Sequence, residues 1–265
     1  MADVLVTRDA PGTATVTLHR PHRHNAWTVP MQAAYFQALE DLVGDDGVAV
    51  IVVTGAGGTF CPGADTEALQ GYSDTGATNP DMALIEQPEW LTMTLPKPVV
   101  AAVEGACAGV GLAQALLCDI RVAAPTARFT TAFARRALPP MHGMAPLLSR
   151  AAGDAGAAEL LLTGRTFDGA EAHRLGVVHE ISPTPYDRAL ELATDMATKC
   201  APSSMATLKR HLNEPWLPRV RDAVEGVDAI LPGVLGSADF REGVASFLER
   251  RPPRFAPYSG AGEES

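Results

Sequence analysis

No apolar run in this chain approaches the roughly 20 residues that a bilayer span requires. The opening segment, MADVLVTRDAPG, lacks the basic-then-apolar layout of a secretory signal. Cysteine is scarce: Cys61, Cys107, Cys118 and Cys200 lie far apart with no CxxC spacing. They read as reduced, packed thiols of a cytoplasmic protein. Positive charge is also in deficit. The 21 Lys and Arg against 31 Asp and Glu leave a net −10, the wrong sign for a general nucleic-acid binder. Any anionic ligand must therefore find a local basic patch. What the chain has in quantity is 24 Gly, 21 Pro and 46% hydrophobic residues, the composition of a globular α/β protein with many tight turns. Its 265 residues suffice for one large domain or two small ones with a sizeable core.

The patterning agrees. VLVTR (4–8) and TATVTLHR (13–20) alternate around a Pro-Gly turn and predict a hairpin. MQAAYFQALEDLV (31–43) places apolar residues at helical spacing and Gly44 stops it. VAVIVVT (48–54), PVVAAV (98–103) and IRVAAP (120–125) are continuous apolar runs suited to buried parallel strands. Residues 71–81, polar and rich in breakers, predict a mobile loop, followed by a helix through Trp90 and Leu95. Beyond Gly143 the pattern turns helical: 154–164, a short helix leading to a strand over 167–181, then amphipathic helices over 185–200, 202–212 and 237–250. The tail is expected to fray after about Phe255.

Between Thr54 and Asp119 the order strand, glycine-rich turn, helix occurs twice, in VIVVTGAGGTFCPGAD (50–65) and PVVAAVEGACAGVGLAQALLCD (98–119). Such turns leave backbone N–H groups at a helix N-terminus, where free donors and the helix dipole favour anionic oxygen. Two of them facing each other would hold one developing oxyanion. The plain alternative is that both merely close strand–helix joins.

These two segments, together with HRPHRHNAW (19–27), LLLTGRTFDGAEAHRLGVVHEI (160–181) and DFREGVASFLERRPP (239–253), resemble the crotonase, or enoyl-CoA hydratase/isomerase, superfamily in order and spacing. The resemblance implies an α/β fold: a spiral of ββα units over 1–183 carrying the acyl-CoA site, and a C-terminal helical region, 184–265, packed on the core and on neighbouring subunits. It further implies a trimer or hexamer, an acyl-CoA thioester as ligand, and no metal or redox cofactor, coenzyme A being part of the substrate. Carried over residue by residue, the amides that polarise the thioester carbonyl are those of Ala64 and Val110. Glycine is usual at the second place, so the branched Val110 is a departure that narrows the acyl pocket. The implied contacts are Arg23 and Ala26 in the first motif, Cys61 and Asp65 in the second, Gly109 in the third, with Ala113, Phe133 and Met141 about the acyl chain. Asp65 is expected to cap the helix after it.

Hydratases of the family use two glutamates to position water and move a proton. Here those places carry Ala113 and Phe133, and the acid of isomerase members, one turn later, is replaced by Met141. His142, in PPMHG, is the remaining candidate for proton transfer, because imidazole titrates near neutrality; a capping or solvated histidine is the alternative. Gln114 orients but cannot take a proton from carbon. Glu67, Asp74, Glu86 and Glu89 border the expected loop as solvated acids within reach of the pocket. His19, His22 and His24 admit a metal reading, but interleaved with Arg20 and Arg23 they read as a basic turn beside the CoA phosphates, or a plain surface turn. Arg250, Arg251 and Arg254 form a second basic cluster. Cys61 and Cys107 lack a paired base and read as packing residues. Three functions remain open: an enolate-forming hydratase/isomerase; thioester hydrolysis, decarboxylation or double-bond isomerisation on the same scaffold; and a catalytically silent acyl-CoA-binding or interaction protein.

Overall fold

A computed structural model of the chain describes residues 2–76 and 85–257. The expected hairpin is β1 (Val4–Ala10) and β2 (Thr13–Leu18), antiparallel to each other. It edges a six-stranded sheet that continues in parallel through β3 (Val50–Gly55), β4 (Val99–Val103), β6 (Ile120–Ala123) and β9 (Glu180–Ile181). Period-two alternation sends each strand's side chains to opposite faces. Ile51, Val53, Ala101 and Val103 face one core with α1 (Val29–Val43). Val50, Val52, Val100 and Ala102 face the other, which α7 (Pro185–Lys199) covers with Ala189 and Ala193, joined by Met205 of α8 (Pro202–Asn213). Both faces are dry, which is why these strands read as unbroken apolar runs.

Three features differ from the expectation. A second sheet, β5 (Ala106–Ala108), β7 (Arg128–Thr130) and β8 (Phe167–Asp168), stands on the first, its Phe129 and Phe167 rings stacked 5.5 Å apart. Residues 71–75 are helical, not loop: α2 (Thr66–Thr75) is capped by Asp65 at one end and stopped by left-handed Gly76 at the other. Its Leu69 and Tyr72 pack on an apolar cluster, and that packing outweighs the polar composition. The remainder of the expected loop, 77–81, lies outside the described residues, as does most of the tail expected to fray. A helix absent from the sequence reading, α9 (Leu217–Leu235), buries Val220, Val224, Val227, Leu231 and Leu235 along one stripe in spite of Pro232.

The other helices follow the pattern. The short α3 (Leu91–Thr94) precedes β4; α4 (Val110–Leu117) follows β5; α5 (Met144–Thr163) starts ten residues ahead of expectation and breaks at Gly153. α6 (Gly169–Arg174) leads into β9, and α10 (Ala238–Leu248) closes the C-terminal region. Polar anchors tie this region to the sheet. Lys209 of α8, buried, pairs with Asp119 at 2.8 Å, and the Asp119 carboxylate also accepts from the Val99 amide at 2.8 Å. Asn213 donates to the Met93 carbonyl at 2.9 Å.

Helix α4 is held at both ends. At its C-terminus the buried Arg121 donates to the Cys118 carbonyl at 2.7 Å and to the Val177 carbonyl at 2.7 Å, a cation where the helix dipole favours one. At its N-terminus Gly111 lies so close to β3's following turn that a Cβ there would stand 2.3 Å from the Cys61 oxygen. Gly111→Ala would gain about 1 kcal/mol of helix propensity and lose about 1–3 kcal/mol to overpacking against backbone. The variant is expected to unfold at lower urea concentration. An unchanged or raised midpoint would mean that the two turns yield freely.

Candidate active site

The two glycine-rich turns meet by hydrogen bonds. Cys61 donates its amide to the Ala106 carbonyl at 2.9 Å and accepts from the Ala108 amide at 3.0 Å. Gly63 (φ 109) and Gly109 (φ 50, ψ −121) bend the chain beyond this bridge, into backbone regions that side chains resist. Ala64 and Val110 therefore follow the bends at the head of α2 and as the first residue of α4. Neither amide donates to another group among the described residues.

The first motif braces this arrangement. His24 and Asn25 are both left-handed, and the buried Asn25 side chain donates to the Ala56 and Thr59 carbonyls at 2.8 and 2.6 Å while accepting from the Arg20 amide. Trp27 bonds on either side of Ala64, its amide to the Gly63 carbonyl and its carbonyl to the Asp65 amide. Asp65 caps α2 through the Glu67 amide at 3.0 Å, as expected. It also receives Arg20 at 3.1 Å and Arg23 at 3.2 Å. Burial alone would raise the Asp65 carboxyl, but the Glu67 amide and the two guanidiniums outweigh it and hold the group below its ordinary value.

The guanidiniums of the basic turn are thus already paired. Arg20 also donates to the Ala26 carbonyl, and Arg23 reaches Glu67 at 2.6 Å. In the second basic cluster Arg251 is held by Glu242 and Glu249. The three histidines of the first motif do not converge, and among the described residues no three His, Cys, Asp or Glu side chains group as a metal site would need. Cys61 and Cys107 are fully enclosed. Burial pushes the Cys61 thiol up to about 12 and Cys107 well above its usual range, so both stay protonated at neutral pH.

Val110, Ala113, Phe133 and partly buried Met141 share one apolar cluster, and Met141 also touches the cluster formed by α9 and α10. Ala113 is fully buried, and its neighbour Gln114 is buried with Oε1 unpartnered. His142 stands next, left-handed at φ 59, a conformation that costs a branched residue about 1–2 kcal/mol. It does not cap a helix, and its side chain is mostly covered. Its Nδ1 lies 3.0 Å from Glu89 Oε1, with side-chain exposures of 15% and 21%. Glu89 is accordingly not a solvated loop acid. Sequence reasoning left the pair apart because no local pattern joins residues so distant. Glu67 does stand in solvent, bound to Arg23, and Asp74 accepts from Gln70 at 2.8 Å.

Comparison with known proteins shows what the chain as a whole is similar to. The family profile described as enoyl-CoA hydratase/isomerase matches residues 8–257. A 1,2-epoxyphenylacetyl-CoA isomerase of Escherichia coli is 33% identical over 96% of this chain and 99% of its own. A putative enoyl-CoA hydratase of Thermus thermophilus is 34% identical over 91% of this chain and 96% of its own. Among solved structures, an enoyl-CoA hydratase/isomerase from Pseudoalteromonas atlantica superposes with a TM-score of 0.85 at 30% identity, covering 96% of this chain and all of that one.

Proposed function

The chain belongs to the enoyl-CoA hydratase/isomerase family, and from that premise we propose that it turns over an acyl-CoA thioester through an enolate whose oxygen is held by the Ala64 and Val110 amides. One observation carries this: two amides, on turns bonded to each other, that donate to nothing else among the described residues. Proton loss beside a thioester moves charge onto the carbonyl oxygen, and one aimed donor there typically lowers the barrier by about 3–4 kcal/mol. Val110 adds the N-terminal dipole of α4.

The acids of the family's hydratases are replaced here by Ala113 and Phe133, and that of its isomerases by Met141. All three side chains pack in the apolar cluster. Hydration needs a base to activate water and an acid for the carbon, whereas a shift of one proton along the acyl chain needs a single carrier. His142, beside Met141, is that carrier in this proposal. Double-bond isomerisation is the second reading of the same site; the relative named as a 1,2-epoxyphenylacetyl-CoA isomerase supports isomerisation of an acyl-CoA in general. Arg23, partly exposed, is the group of the basic turn open to the CoA phosphates, in competition with Glu67.

Crotonyl-CoA hydration is expected to run at least about a hundredfold below that of a two-glutamate enzyme; a rate near the diffusional ceiling would contradict the assignment of the missing acids. The same proposal includes assembly as a trimer or hexamer, with exposed Leu208, Leu212 and Ile230 of the C-terminal helices among the side chains a neighbour would cover. Sedimentation is expected to give a multiple of three chains, and a monomer at micromolar concentration would remove this part.

A further inference from the structure

The described part of the molecule holds one part-buried imidazole–carboxylate pair, and it lies beside the apolar cluster that lacks acids. His142 adopts its left-handed conformation directly before left-handed Gly143 at the head of α5. From there its ring reaches a carboxylate 53 residues earlier, at the turn into α3. A carboxylate at 3.0 Å from Nδ1 fixes the proton on that nitrogen and leaves the Nε2 lone pair as the ring's basic site. The groups facing His142 are Glu89 and, from α9, Asp228, which itself feels Glu225.

We propose that Glu89 is the positioning residue of a Glu89–His142 pair, in which His142 Nε2 carries one proton between two carbons of the acyl chain. The proposal rests on the enolate reading above. In the step, Nε2 takes a proton from the α-carbon of a β,γ-unsaturated acyl thioester. The C–H electron pair passes into a dienolate whose charge rests on the thioester oxygen. The imidazolium then returns the proton at the γ-carbon, and the double bond moves to the α,β position. Substrate and product are isomers, and no water, oxidant or co-reactant is consumed.

The charge balance sets a pH signature. Burial lowers the proton affinity of His142, but the Glu89 carboxylate and its hydrogen bond outweigh burial, with Asp228 adding, so the ring titrates above its ordinary 6.5. Turnover by the neutral ring should therefore rise with pH through a midpoint above 6.5. Without the Glu89 charge, burial dominates and the midpoint moves to lower pH.

The experiment follows conversion of a β,γ-unsaturated hexenoyl-CoA, with α-hydrogen exchange in D2O, in the full-length protein across pH. Glu89→Gln is expected to lower kcat about tenfold or more at nearly constant KM and to shift the kcat midpoint to lower pH, with the His142 titration seen by NMR moving alongside. Glu89→Asp should restore part of the midpoint. Glycine suits the left-handed backbone, so His142→Gly should fold and melt normally, lose at least about a hundredfold in kcat, and recover partly with added imidazole. Glu89→Gln with an unchanged kcat and midpoint, beside an inactive His142→Gly, would overturn the role of Glu89. A fully active His142→Gly would overturn the pair as proton carrier. Failure of the enolate reading shows differently, as wild-type protein that neither converts nor exchanges the substrate.

Discussion

Two hydrogen bonds at Cys61 hold the working part of this molecule together. By donating to Ala106 and accepting from Ala108, Cys61 joins a turn of the main sheet to a strand of the small one. Much else serves this contact. Gly111 has no Cβ because the Cys61 oxygen is in the way. Asn25 holds the outer turn through two carbonyls, Asp65 gathers both arginines of the neighbouring turn, and Arg121 pins the far end of α4. The same bridge explains why both cysteines are inert: a thiol enclosed there has no stabilised anion.

The chemistry around the bridge is uneven. In the proposed reading the backbone donors do the work while the places of the family's acids fall on Ala113, Phe133 and Met141, all packed in apolar surroundings. Carboxylates do exist nearby, and three of them are committed. Asp65 binds arginines and a helix end, Glu67 binds Arg23, and Glu89 binds the part-buried His142. A site built this way favours chemistry in which charge develops on oxygen and a single proton moves, over chemistry that must activate water.

Strong local periodicity made the main sheet and α1 legible from sequence: Val50 to Val53 are buried on both faces, and Gly44 ends α1 where the pattern stops. The small sheet was not legible, since its strands of two or three residues are shorter than any periodic window. Pro232 hid α9, whose stripe from Val220 to Leu235 is regular once the proline is ignored. Residues 71–75 read as loop because their polar, breaker-rich composition hides the packing of Leu69 and Tyr72 on the cluster of α9 and α10. In the candidate site the glycine turns were readable, since close approach and left-handed backbone both demand glycine. The pairing of Glu89 with His142 is a product of the tertiary fold. So is the neutralisation of Arg20 and Arg23, which look like free cations when Asp65 is 45 and 42 residues away.

The central claim, that the Ala64 amide holds the oxygen of the reacting thioester, is tested most directly by removing that N–H. Proline at position 64 does so without changing any ionisable group. The account predicts a fall of about two to three orders of magnitude in acyl-CoA turnover, in a protein whose melting and assembly match the wild type and whose affinity for free CoA is nearly unchanged. Turnover that persists in a well-folded Ala64→Pro protein would contradict it.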